Sequence, residues 1–202
     1  DLSNDFRLKK DSKINEREFV YGLPEINRTA IKKAISIANP GCFATAIQLA
    51  LLPLASRNKL NNAIHVNATT GSTGAGVSSS ATTHFSWRNN NLSWYKPFTH
   101  QHLGEVKETL DQAQGKNTEI IFLPQRGNFT RGIFATAYTF FEENLDDAHK
   151  IYQEFYKNAP FTQVSKKELH LNQAFTRRCS STLKRSGSFT NNSIIAYSYL
   201  KI

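Results

Sequence analysis

The sequence predicts an α+β domain, with a mixed or antiparallel sheet carrying helices on one face. Three observations point there. Strand-like runs at 63–70, 119–123 and 133–141 are interspersed with helical patterns at 42–54, 104–114 and 145–157, without strict β-α-β alternation. Of the 202 residues, 39% are apolar and 11% aromatic, enough for a packed core and too many for a disordered tail. The length allows one domain, or one with a small addition.

The elements follow in order. Residues 1–10 read as a strand end running into a polar loop, and 11–18 as a charged, exposed stretch. Tyr21-Gly22-Leu23-Pro24-Glu25 holds two turn formers. Arg28–Ile35 forms a short amphipathic helix with Ile31, Ala34 and Ile35 on one side; a strand over Ile35–Ala38, leading into Asn39-Pro40-Gly41, is the alternative. Cys42–Leu54 is rich in helix formers and nearly continuous in apolarity, hence a buried helix. Ala63–Thr70 is a strand, Gly71–Gly76 a flexible loop, and 77–101 a polar, irregular stretch studded with aromatics. Gly104–Gln114 is a helix with Val106, Leu110 and Ala113 inward. Glu119–Leu123 and Ile133–Phe141 are strands. Asn144 caps a helix over Leu145–Lys157, whose Ala148, Ile151, Tyr152 and Phe155 share one face. There are no internal repeats.

The formal net charge is +9, yet Lys166, Lys167, Arg177, Arg178, Lys184, Arg185 and Lys201 against Glu168 put +6 of it in residues 166–202. A basic excess confined to the last fifth, rather than patterned along a face, does not point to nucleic acid. The longest apolar stretch, 44–55, is broken by Thr45, Gln48 and Pro53 and is too short for a bilayer. Cys42 and Cys179 make neither a disulfide framework nor metal-ligand spacing, so a reducing cytoplasm is expected. The chain starts at Asp1 and holds no Met, which reads as a piece of a longer protein.

Cys42 follows a Pro-Gly turn at the start of the long helix. Free backbone N–H groups and the helix dipole favour a thiolate there, a nucleophile toward carbonyl carbon. A buried structural thiol fits the same position. His100-Gln101-His102 precedes Glu105. With a helix starting near His102, the carboxylate three residues on lies on the same face and can orient the imidazole, a proton carrier near neutral pH. Ordinary loop histidines fit too, while zinc lacks further ligands. The glycine loop GSTGAG is not G-x-G-x-x-G. Its N–H and hydroxyl groups suit a phosphate or carboxylate, and Arg7 and Arg131 are fixed cations suited to anions.

Together these stretches resemble one family. YGLPEINR at 21–28 and NPGCFATAIQLALLPL at 39–54 look like N-acyl-γ-glutamyl-phosphate reductase, an enzyme of arginine biosynthesis. DLSNDFRL at 1–8, TGSTGAG at 70–76, HQHLGEV at 100–106 and RGIFATAYT at 131–139 fall in that family's order, over about residues 1–165. The resemblance implies that Cys42 is the nucleophile and His102 the acid/base. It implies substrate contacts at Arg7, Ser72, Thr73, Tyr95, His100, Glu105 and Arg131, and a cofactor-facing role for Gly41 and Gly74. It implies the catalytic and dimerisation part of a glyceraldehyde-phosphate-dehydrogenase-like fold. NADP(H) would be bound largely by an N-terminal Rossmann domain that is mostly absent here. The expected partners are an acyl-phosphate substrate, phosphate and further copies in a homo-oligomer, with no metal, nucleic acid or membrane.

On this reading, residues 1–20 are a remnant of the cofactor domain, 21–171 the catalytic and dimerisation domain, and 172–202 a divergent basic segment, as a frameshift would leave. Residues 123–130, LPQRGNFT, depart from the family's usual Pro-His-Leu-x-Pro. The acyl group, acetyl or succinyl, stays open. The rivals are an aspartate-semialdehyde-dehydrogenase-like enzyme, a Cys/His hydrolase or acyltransferase, and a truncated oligomerisation module without activity.

Overall fold

A computed structural model of the chain describes residues 13–14, 17–76, 78, 80–165, 179–185 and 193–200. Strands β1 (Lys13–Ile14), β2 (Arg17–Tyr21) and β3 (Ser36–Ala38) make a small sheet in that order. Helix α1 (Pro24–Ile31) connects β2 to the parallel β3. Helix α2 (Cys42–Ala55) then leads to the main sheet, formed by β4 (Ile64–Thr70), β5 (Ser93–Trp94), β6 (Ile120–Arg126), β7 (Ile133–Phe140), β8 (Thr162–Ser165), β9 (Cys179–Arg185) and β10 (Ser193–Leu200). Its order is β5-β6-β4-β7-β10-β9-β8. The β4–β6 and β8–β9 pairs are parallel and the others antiparallel, so the expected mixed sheet is present. Helices α3 (Phe85–Arg88), α4 (His102–Gln114) and α5 (Leu145–Phe155) complete the described elements, together with short 3-10 turns at Ser72–Ala75 and Ala81–Thr83.

One face of the sheet is buried and the other is not. Along β4 and β7 the alternate positions Ile64, Val66, Ala68, Ile133, Ala135 and Ala137 are all closed to solvent. The pleat sends these side chains to one side, where α2 lies across β7 and β10, with α4 over β6 and α5 over β8 and β9. Alanines on the sheet and on α2 (Ala44, Ala46, Ala50) let helix and sheet approach closely. Tyr138 and Phe140 on the other face of β7 are 38% and 36% exposed. Across the register there, His65 stacks on Tyr138, ring centroids 5.0 Å apart.

Every residue of α2 after Cys42 is buried, although Pro53 stands inside it. A proline has no N–H for the carbonyl four residues back, which here is that of Leu49. The Tyr156 hydroxyl donates to that carbonyl at 2.5 Å, and the Tyr152 hydroxyl donates to the next one, Ala50. The Tyr156 hydroxyl thus supplies the donor that the proline withholds, and Tyr152 adds a donor to the neighbouring carbonyl in the core.

Several boundaries differ from expectation. The first helix starts at Pro24 and ends at Ile31, with Pro at its first turn, where a missing N–H costs nothing. The alternative strand at the next segment is the one observed, as β3, and Ile35 is fully exposed. The glycine loop is a 3-10 turn. Helix α4 starts two residues earlier than expected and turns Gln114, not Ala113, inward, because Gln114 continues the four-residue step from Val106 and Leu110. Its Nε2 donates to Thr118 Oγ1 at 2.8 Å. β6 extends through Pro124 to Arg126, and α5 closes at Phe155, with Asn144 capping it as expected through Asp147 N–H. Strands β9 and β10, for which the sequence suggested nothing regular, lie inside the main sheet. The expected strand end at 1–10 lies outside the described residues.

Candidate active site

The site is built where the N-termini of α2 and α4 meet. Cys42 is the first residue of α2, and its thiol receives backbone N–H groups from Phe43 and from Cys42 itself. Those donors favour the thiolate, as expected of a helix start, but burial outweighs them. Burial, followed by the Glu105 carboxylate, pushes the Cys42 thiol above its ordinary range. Burial thus works against the thiolate that the helix start favours, in line with the buried-thiol alternative.

His102 is the first residue of α4. A Cβ placed on Gly41 would stand 2.6 Å from both Cδ2 and Cε1 of its ring, so the residue before Cys42 has to be glycine. Glu105, one turn along α4, has a second grip besides its place near His102. One oxygen, Oε1, accepts the Gly41 N–H at 3.0 Å and the Tyr21 hydroxyl at 2.6 Å. The carboxylate thus braces the backbone that delivers the thiol. Gln48, fully buried on α2, continues the network by donating to Thr109 Oγ1 at 2.9 Å and to the Glu105 carbonyl at 3.2 Å. Burial and the Glu105 charge raise the Tyr21 hydroxyl well beyond the usual phenol range, so it stays a donor.

His100 is only 4% exposed. Phe43, Tyr95, Phe122 and His102 surround it with ring centroids 4.7–5.7 Å away. Its Nδ1 accepts the His102 N–H at 3.2 Å, tying it to the start of α4. Burial, then His102 and Lys96, lower it to about 4, so it is neutral at pH 7. It has little surface left for a substrate and acts as a wall that sets His102. Tyr95 packs on Phe43 and His100 at 6.3 and 5.7 Å. Burial pushes its hydroxyl up to about 12, against the pull of Arg126.

The glycine turn differs from its expected role. The N–H groups of Ser72, Thr73, Gly74 and Gly76 donate to the carbonyls of Phe129, Thr130, Gly71 and Thr73, and Thr73 Oγ1 donates to Thr130 O at 2.8 Å. Those donors are taken up by the fold and do not cradle an anion. Arg131 lies exposed beside this turn, and Arg7 lies outside the described residues.

Residues 42–197 match the family described as semialdehyde dehydrogenase, dimerisation domain. The chain belongs to this family. It is 58% identical over 190 residues to N-acetyl-gamma-glutamyl-phosphate reductase of Flavobacterium johnsoniae, and 56% to that of Christiangramia forsetii. Each alignment covers 93% of this chain and 58% of the relative, so the chain spans a little over half the length of these relatives. Among solved structures, aspartate semialdehyde dehydrogenase II of Vibrio cholerae superposes with a TM-score of 0.68 at 13% identity, over 97% of this chain and 64% of that one. The Francisella tularensis enzyme gives 0.65 at 11% identity. These two likenesses establish the fold.

In this semialdehyde dehydrogenase domain the described residues do not fit a nicotinamide dinucleotide. Gly41 is closed by His102, a Cβ on Gly74 would meet Thr70 Oγ1 at 2.7 Å, and the Ser72–Ala75 turn that carries Gly74 offers no free run of N–H groups. Tyr21, Gln48, Phe43 and Arg126 contribute to the site and were missed in the sequence. For Tyr21 the available signal was its place at the head of YGLPE; Arg126 carries only a charge at an unplaced strand end.

Proposed function

We propose that this chain is the thiol-bearing part of an NADP(H)-dependent N-acyl-γ-glutamyl-phosphate reductase, a cytoplasmic enzyme of arginine biosynthesis. The observation that carries the reading is the Cys42–Gly41–His102 junction, in a chain whose relatives at 58% and 56% identity bear that reductase's name. The Cys42 thiol loses its proton and attacks the γ-carbonyl carbon of the acyl phosphate. A C–S bond forms, the bond from the acyl carbon to the bridging oxygen breaks, and inorganic phosphate leaves with that oxygen and the electron pair. His102, whose ring lies against Gly41, takes the thiol proton on this reading and later returns one to the carbonyl oxygen. The buried aromatic wall of Phe43, Tyr95 and His100 keeps water from the thioester. Reduction of that thioester needs a hydride donor with no site among the described residues, so no step through it is assigned to them. Further copies of the chain would cover the open face of the main sheet, where Tyr138 and Phe140 are exposed, giving a homo-oligomer.

The test is acyl transfer to Cys42 without any cofactor. Incubation with N-acetyl-γ-glutamyl phosphate is expected to add the acyl mass to the Cys42 peptide and release one phosphate per thioester. Absence of that adduct, or equal labelling of Cys179, would sink the reading. A parallel incubation with β-aspartyl phosphate tests the aspartate-semialdehyde alternative, whose only support is a shared fold; it is expected to label Cys42 far more slowly.

A further inference from the structure

One cation stands beside the thiol site without a described counter-charge. Arg126 is the last residue of β6, and the pleat puts it on the face of Phe122 and Pro124, the face the helices cover. In register it sits opposite Thr70, at the root of the glycine turn. Its guanidinium carbon is 4.8 Å from the centroid of the Tyr95 ring, and Tyr95 packs in turn on Phe43 and His100. The side chain is half-buried, its Nε is closed to solvent without a hydrogen-bond partner, and no ion pair among the described residues includes it.

A second arginine makes the imbalance sharper. Arg88 is 4% exposed, and its guanidinium donates to the carbonyls of Thr82 and Arg126 and to the Ser93 hydroxyl. Those acceptors are all neutral. Arg88 is thus a strut that fixes the end of β6, and its charge adds to that of Arg126. The glycine turn next to them has its N–H groups taken up internally, so it offers no cradle. Two neighbouring guanidiniums without an acid among the described residues, partly out of water, are unfavourable until an anion joins them. A planar guanidinium holds two oxygens of such a group side by side.

We propose that Arg126 binds an oxyanion of the substrate next to Cys42, deepening the reading above, on which the identity of the substrate rests. The oxyanion is either the phosphoryl group that leaves or a carboxylate of the acyl-glutamate, since both present paired oxygens.

Protection of Cys42 from iodoacetamide, an uncharged reagent, tests this in the 202-residue chain. Inorganic phosphate and N-acetylglutamate are titrated separately, and the Cys42 peptide is followed by mass. At least one anion is expected to slow alkylation. Arg126→Gln should raise its half-protecting concentration by about tenfold or more, the usual weight of a charged hydrogen bond. Phosphate alone losing its effect identifies the phosphoryl group; N-acetylglutamate alone, a carboxylate. Arg88 grips the main-chain carbonyl of Arg126, so the melting temperature should hold; if Arg126→Gln does not fold, Arg126→Lys decides, with protection expected to weaken as the fork is lost. Equal protection in native and variant chains overturns the proposal. So does no protection of a normally reactive Cys42. Failure of the reductase reading looks different: anions protect, yet no acyl group transfers to Cys42.

Discussion

The two ends of α2 solve opposite problems by different means. At the C-terminal end, Pro53 leaves the Leu49 carbonyl without its helical donor; the neutral hydroxyl of Tyr156 supplies one, and Tyr152 adds another to Ala50. At the N-terminal end, backbone N–H groups lack acceptors. There one is given to a carboxylate, Glu105 on Gly41, while those of Cys42 and Phe43 are kept for sulfur. The C-terminal end is completed by the fold alone. The N-terminal end is left with a buried thiol that an acyl group can take over. The thiol at the N-terminal end has a reactive atom despite the Glu105 charge, which works against its thiolate, whereas the hydroxyls at the other end only complete the fold.

The sharpest way to break the comparison is Gly41→Ala. Its Cβ collides with the His102 ring, and a displacement of about 1 Å near reacting atoms can cost on the order of a hundredfold in rate. Acyl transfer to Cys42, read by peptide mass, is expected to fall by about that factor; a variant that transfers normally would show that the imidazole yields freely. Tyr156→Phe tests the other end. It leaves the Leu49 carbonyl buried and unpaired, so urea unfolding should show a loss of about 1–3 kcal/mol, with Cys42 alkylation unchanged.

A smaller effect comes from acid. His100 titrates near 4 when folded and near 6.5 when unfolded, so between those values the unfolded chain binds the extra proton. The stability tied to the neutral ring is present above pH 6.5 and is lost as pH falls toward 4, by up to about 1.4 kcal/mol per unit. His100→Phe should flatten that slope in urea midpoints taken from pH 7 to 4.5. The smallest change is Glu105→Gln. Removing the carboxylate charge that disfavours the thiolate should move the pH midpoint of Cys42 alkylation down; an unmoved midpoint would make Glu105 a brace only.

What could be read in the sequence was local. The long apolar run of α2, the alternation of β4 and β7 and the Asn144 cap each carry their own signal within a few residues. Cys42, His102 and Glu105 were legible for the same reason, since two helix starts place them. α1 slipped because Pro24 serves both a turn and a first helical turn. β9 and β10 lack apolar alternation strong enough to stand out, and β10 is placed by pairing with β7, far back in the chain. Arg126 and Tyr21 reach the site only through register and a hydrogen bond across 84 residues, which no window of sequence reports. The burial that raises the Cys42 thiol was hidden likewise, because neighbours contributed by several elements set it.

The place of β10 governs how the chain can be made. It pairs Leu200 with Ile133 and Ser193 with Phe140 on one side and β9 on the other, joining the two halves of the main sheet. A ribosome delivers that central strand after every other described element, so β4, β6 and β7 wait in the nascent chain with an open edge. Pairings this distant slow folding, and an unpaired edge invites other strands. Until residue 200 emerges, β7 keeps an unpaired edge, and a chaperone that shields strand edges would act there.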